Sequence, residues 1–377
     1  MKFSPDYNKR VYGLDMYRAI AIILVVLTHG SFMLAGTPLE DFPWIRLTDG
    51  VELFFVLSGF LIGSILIKII AKNNFRLSFD DVLTFWKRRW FRTLPNYYLI
   101  LLVNIIFVRF AIIDGDIEQF NYMFLLFLQN FSQPFVDFFW ESWSLTIEEW
   151  FYIILPLSLL LILKIFPSKN GILSVIIILI VFPLLYRIYH SGELVNHFFW
   201  DIKFRKVVLM RLDTIIYGVL AAWVKHYYKG FWAKYAFPLF IAGMIIIIGI
   251  QYIPKEPNDF FTKTFYFNIV TVGAMLILPY ADSVQNFRSS FGKFITHISL
   301  ISYSMYLINL ALVVQVIQKN FPVTDPTNGS LKYILYWAIV LIASTLLFYL
   351  FEKPMMDLRD KKFNTSFKLK HIIKRNN

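Results

Sequence analysis

The sequence contains no cysteine, which excludes disulfides, a thiol nucleophile and thiolate metal sites. Charge is scarce as well. Asp, Glu, Lys and Arg make up 16% of the 377 residues, against about a quarter in an ordinary soluble domain. That shortage argues against dividing the chain into soluble domains by length. Histidine, the one side chain whose ordinary pKa lies near neutrality, occurs only six times. The sequence also lacks internal repeats and low-complexity segments.

What the sequence has instead is apolar length. Apolar and aromatic residues account for 58% of the chain, and they fall in blocks of about 20 residues, enough to cross a hydrocarbon core. Hydropathy places ten such blocks, approximately 14–35, 50–70, 95–113, 145–165, 171–189, 209–228, 235–253, 264–280, 298–318 and 331–352. The expected fold is all-α, a polytopic transmembrane helical bundle of about ten spans forming one integral-membrane domain over 1–377. Residues 120–131 (FNYMFLLFLQNF) are apolar but too short to span, and read as an interfacial or re-entrant piece. A basic start followed by an apolar run has the outline of a signal peptide. No small-x-small cleavage site follows it, and Arg18 and His29 interrupt it, so a retained first helix is expected.

The formal net charge of +12 would suggest nucleic acid in a soluble protein. Here Lys and Arg concentrate in alternate loops, the cytoplasmic bias of membrane proteins, and no nucleic-acid partner is expected. One set of loops carries Lys9 and Arg10, then Lys72, Arg76 and the stretch Lys87-Arg88-Arg89-Trp90-Phe91-Arg92, and later Arg288, Lys293 and the basic C-terminal tail. Between them, 114–142 contains Asp114, Asp116, Glu118, Asp137 and Glu141 but no Lys or Arg. Both termini are therefore expected in the cytoplasm, as an even number of spans also requires, with 114–142 outside.

An ionisable side chain inside a span is costly, so each one is a functional candidate. Arg18 and His29 share the first span, eleven residues apart. That spacing is almost whole turns, so both project from one face, roughly 16 Å apart along the axis. Arg18 then lies near the cytoplasmic end and His29 in the outer half. Glu52 opens the second span near the outer surface, and the Ser58-Gly59 and Gly63-Ser64 pairs below it permit close helix contact. The fourth span opens with WSLTIEEWFY, which puts Glu148 and Glu149 about a turn below the outer interface. Only one of two successive helical residues can aim at the bundle centre. His29, Glu52 and one of these glutamates are thus expected at similar depth, and imidazole beside carboxylate is what a general base needs. The arginines ahead of the third span suit phosphate binding. Each feature has a bland alternative: a bridging hydrogen bond for His29, an interfacial charge for Glu52, snorkelling for Arg18 and headgroup binding for the arginine cluster.

Taken in order, LDMYRAIAIILVVLTHG, GVELFFVLSGFLIG, RRWFRTLPNYY, WSLTIEEWFY and LFYLFEKP resemble the motifs of the acyltransferase-3 family across essentially the whole chain. These are polytopic membrane enzymes, typically of ten helices, that move acyl groups, most often acetyl, onto cell-surface sugars and related acceptors. The resemblance implies that Arg18 and His29 are the family's Arg-x10-His pair, with His29 essential. It implies that Trp143, Ser144, Leu145 and Glu148 are its WSL-x-x-Glu element, which selects Glu148 over Glu149. It also implies that Arg88, Arg89 and Arg92 are its arginine-rich segment. The family's late Ser-Tyr-x-x-Tyr-Leu-x-His motif corresponds to Ser302, Tyr303, Tyr306 and Leu307, but ends in Asn309 where His is usual. Glu52 stands where the family commonly has Asp. Members acting on peptidoglycan often carry an added hydrolase-like domain, and none is expected within these 377 residues.

The expected function is a multi-pass O-acyltransferase of the cell (inner or plasma) membrane. It would move an acyl group, expected to be acetyl, from cytoplasmic acyl-CoA to a hydroxyl of a cell-surface glycan or lipid-linked sugar. His29 and Glu148 would carry catalysis. Arg18, Arg88, Arg89 and Arg92 would hold the donor, and Glu52, Trp143, Ser144, Tyr303 and Tyr306 would support the site. Acyl-CoA is a co-substrate in this reading, with no bound cofactor and no metal. The rival is a proton-coupled transporter or flippase, which also needs intramembrane Arg, His and Glu. Against it, no inverted repeat and no matched pair of broken helices is visible.

Overall fold

The computed structural model describes residues 10–40, 50–136, 138–285 and 289–359. Lys9, Asp137, Arg288 and the tail from 360 onward, which entered the topology argument, lie outside the described residues. Within them there is no strand, and ten helices of 15 residues or more lie over the ten apolar blocks. They are α1 (Tyr12–Gly30), α2 (Gly50–Lys72), α3 (Phe79–Arg109), α4 (Ser142–Ile165), α5 (Lys169–His190), α6 (Val208–Tyr227), α7 (Ala236–Ile250), α8 (Tyr266–Ser283), α9 (Ser290–Ile308) and α10 (Pro326–Leu347). By length and composition, seven helical segments can cross a membrane. The number is eight if His197–Arg205 and Val208–Tyr227, bent by 60°, form one span. The fold is an all-α polytopic bundle.

α3 departs most from the expected block. It begins sixteen residues before Pro95, with that proline inside it. The start is set by a capping box: Ser78 Oγ accepts the Asp81 amide at 3.1 Å, and Asp81 accepts the Ser78 amide at 3.0 Å, satisfying two orphan donors reciprocally. Hydropathy missed the beginning because its first turns are charged. The consequence is that the arginine cluster is helical. Arg89 and Arg92 are three residues apart and share a face, whereas Arg88 is exposed.

α1 packs against α2, α8 and α9, and its Arg18 and His29 are both half-buried. α2 and α6 lie in close contact. A Cβ on Gly59 would fall 1.9 Å from the Ile215 carbonyl oxygen, and one on Gly218 2.0 Å from that of Val56. Only glycine fits this backbone crossing. In the 120–131 segment a single helical turn, Met123–Leu126, is tied to α3 and α4. The Tyr97 and Tyr98 hydroxyls donate to the Phe124 and Leu125 carbonyls at 2.8 and 2.7 Å, and Trp150 Nε1 to that of Phe127 at 2.7 Å. α9 ends in a π-helical stretch, Asn309–Val314, a distortion that occurs frequently at functional sites.

Candidate active site

Residues from α1, α2, α3, α4 and α9 line one cavity, and Arg18, Arg89, Arg92, Glu148, Ser144, Tyr303 and Tyr306 are among its polar groups. All three arginines are half-buried. Among the described residues none of their guanidinium groups has a hydrogen-bond or ion-pair partner; Arg89 only rests over the Phe85 ring, 5.8 Å from its centroid. Five N–H donors per guanidinium are thus available to a planar anionic ligand. Arg88 is not part of this lining.

Glu148 accepts a hydrogen bond from the Tyr152 hydroxyl at 2.8 Å, and that hydroxyl also lies 3.3 Å from Ser58 Oγ. Glu149 turns away and accepts from Thr93 Oγ1 at 2.7 Å. On α9, Tyr303 donates to the Thr93 carbonyl at 2.8 Å, and the Tyr306 hydroxyl lies 2.6 Å from Ser144 Oγ. Trp143 is buried beside the cavity rather than in its lining. Its ring packs edge-on against Phe55 at 6.0 Å, with Arg205 5.5 Å from its centroid.

His29 lies outside this lining. Its Nδ1 is 2.5 Å from Asn309 Oδ1, and Glu148 is not its hydrogen-bonding partner. Glu148 instead shares the cavity with Arg18, eleven residues and about 16 Å along α1 from His29, which corrects the expected common depth of His29 and Glu148. His29 is the penultimate residue of α1, whereas Glu148 sits six residues into α4, about 9 Å below its start. The lining reaches Tyr306, which is one turn of α9 from Asn309, so that helix joins the two levels.

Glu52 also has a different neighbour. Its carboxylate pairs with Arg211 of α6 at 2.5 Å, with both side chains fully enclosed. Arg211 Cζ lies 3.9 Å from the Phe267 ring centroid. A second enclosed cluster joins Arg187, Asp213 and Asn268: Arg187 Nη2 lies 2.6 Å from Asp213 Oδ2 and 2.5 Å from Asn268 Oδ1. Neither cluster was anticipated, although Arg211 and Asp213 lie inside a predicted span and meet the criterion that singled out Arg18. Asn309 was seen only as a departure from a motif, because nothing in the sequence links it to residue 29.

The family model described as an acyltransferase domain matches residues 11–353. Among curated relatives, an O-acetyltransferase OatA from Staphylococcus aureus (strain NCTC 8325 / PS 47) is 28% identical over 357 residues, covering 85% of this chain and 54% of its own length. A putative peptidoglycan O-acetyltransferase YrhL from Bacillus subtilis is 32% identical over 195 residues, covering 48% of this chain and 28% of its own. A peptidoglycan O-acetyltransferase OatA from Listeria monocytogenes is 31% identical over 191 residues, covering 47% and 29% respectively. The chain thus spans about half the length of the first relative and under a third of the other two. No solved structure matches it.

Proposed function

The chain belongs to the acyltransferase-3 family, whose domain it matches over 11–353, and on that premise we propose that it is a membrane O-acyltransferase of the cell surface. The donor is cytoplasmic acyl-CoA, expected to be acetyl-CoA. The acceptor is a hydroxyl of a cell-surface glycan or lipid-linked sugar. The observation that carries this reading is the cavity with three arginines whose donors have no acceptor among the described residues. Such a group of guanidinium ions suits the phosphates of a coenzyme A thioester. The names of the relatives, O-acetyltransferases with peptidoglycan in two of the three, support acetyl as the group and a glycan as the acceptor.

In this mechanism both termini are cytoplasmic, 114–142 is outside, and one membrane domain in the plasma membrane does the work. Arg18, Arg89 and Arg92 hold the donor's phosphates, with Arg88 at the approach, and Glu148 faces the same cavity. The thioester arm passes Ser144 and Tyr306 toward His29. His29 takes the proton of the acceptor hydroxyl as its oxygen attacks the thioester carbonyl. The new C–O bond forms, the C–S bond breaks, and the imidazolium returns its proton to the departing thiolate. A relay in which His29 first carries the acyl group uses the same atoms. Family membership favours this enzyme over a carrier.

Mass spectrometry of envelope glycans from cells with and without the protein tests the proposal. Loss of O-acyl groups in its absence is expected. An unchanged O-acyl pattern, together with no transfer from acyl-CoA by purified protein, would overturn it.

A further inference from the structure

We infer that Asn309 is a positioning residue that holds His29 in the tautomer with hydrogen on Nδ1, leaving Nε2 as the atom that exchanges protons or accepts the acyl group. The inference rests on the acyl-transfer reading for its consequence, but not for its geometry.

The geometry begins at the break in α9. Glu141, buried at the start of α4, accepts the amides of Leu310 at 3.1 Å and Ala311 at 2.5 Å through Oε1. In an uninterrupted helix the Leu310 amide would bond the Tyr306 carbonyl. At this break the Asn309 side chain reaches that carbonyl: Nδ2 donates to Tyr306 O at 2.7 Å and to Met305 O at 2.8 Å. Two carbonyl oxygens can only accept, so they identify which end of the amide carries nitrogen. A flipped amide would set oxygen against both.

Oδ1 is therefore the end that faces His29, 2.5 Å from Nδ1, and a carboxamide oxygen can only accept. Nδ1 must carry the hydrogen. In a neutral imidazole the other nitrogen then holds the lone pair. Among the described residues Nε2 has no hydrogen-bond partner. Asn309 thus does without proton exchange what a second histidine would do only in one of its own tautomers. The Nδ1 hydrogen stays in place through the cycle while Nε2 alone gains and loses a proton.

Full-length protein labelled with 15N-histidine in nanodiscs tests this without substrate. The His29 signal is assigned by its loss in His29→Gln. A protonated Nδ1 and an unprotonated Nε2 are expected. The opposite tautomer in the unmutated protein overturns the inference. In Asn309→Ala, a mixture of tautomers is expected, with kcat falling about 10- to 100-fold, as a misaligned base would cause, and KM unchanged. Unchanged tautomer and kcat in that variant overturn it equally. If Asn309→Ala does not fold, the spectrum of the unmutated protein decides alone. A protein with the expected tautomer but no acyl transfer would sink the functional reading and leave this assignment standing.

Discussion

Across α5, α6 and α8 all three nitrogens of the buried Arg187 guanidinium donate to oxygens, from the Thr264 carbonyl to Asp213 and Asn268. Across α1 and α3, Arg18, Arg89 and Arg92 line a cavity, and among the described residues none accepts a hydrogen bond from their guanidinium groups. The same residue type is used in opposite ways. A buried charge costs several kcal/mol unless paired and hydrogen-bonded, so the first set is saturated and serves to join helices. The second set is half-buried and unsaturated, which is tolerable only where water or a ligand supplies the missing acceptors. His29 and Glu52 show the same contrast. Glu52 is enclosed with Arg211, whereas His29 has one nitrogen engaged and the other free of described partners. Intramembrane charge alone therefore does not mark a site; charge whose hydrogen-bonding capacity is left over does.

The largest effect on transfer per folded molecule is expected at His29. His29→Ala should lower transfer by about 10³-fold, within the range for loss of a general base, while insertion and donor binding persist. Near-normal transfer by purified His29→Ala, at matched membrane levels, would remove it from the mechanism. Glu148→Gln should cost less, about 10-fold, because the variant keeps a group that can accept from Tyr152 and loses only the charge. A loss as deep as that of His29→Ala would give Glu148 a direct part in proton transfer.

Next in size is the arginine-lined cavity. Arg89→Lys with Arg92→Lys should weaken acyl-CoA binding about 10-fold, since lysine cannot reproduce the bidentate fork, with thermal stability little changed. Arg88→Gln should bind as the unmutated protein does. Isothermal titration of both variants beside the unmutated protein would settle whether the helical face or the whole cluster matters; equal losses in both would point to headgroup electrostatics instead.

The smallest effect on transfer is expected in the saturated half. Asp213→Leu leaves Arg187 enclosed without its carboxylate and should destabilise the bundle by about 3–5 kcal/mol, seen as a lower melting temperature and less protein in the membrane. Transfer per folded molecule should stay near the unmutated value. A selective loss of kcat in the surviving folded protein would break the contrast between scaffold and site.

Some of this was legible along the chain. The small pair Ser58-Gly59 announced a tight crossing, and Gly59 meets the Ile215 carbonyl where no Cβ fits. Arg18, Arg89, Arg92 and Glu148 could be picked out because ionisable residues near or within apolar runs are conspicuous. Arg18, Arg89 and Arg92 were also expected to act together, but that Arg88 stays out of their cavity and Glu148 joins it could not be read, since it depends on α3 starting at Phe79 and turning Arg89 and Arg92 to one face. Depth was misjudged for His29 and Glu148 because apolar blocks locate a helix only to within a few residues, and each residue of error moves a side chain about 1.5 Å along the axis and 100° around it.

The sequence by itself determined that this chain is a bundle of membrane-spanning helices, because burial in hydrocarbon requires only length and apolarity, both local properties. It also marked which side chains pay for being there. Which of them are joined was decided by tertiary structure alone. His29 meets Asn309 across 280 positions and Glu52 meets Arg211 across 159. No local pattern encodes such pairs, since a helix specifies its own face but not the helix that will cover it.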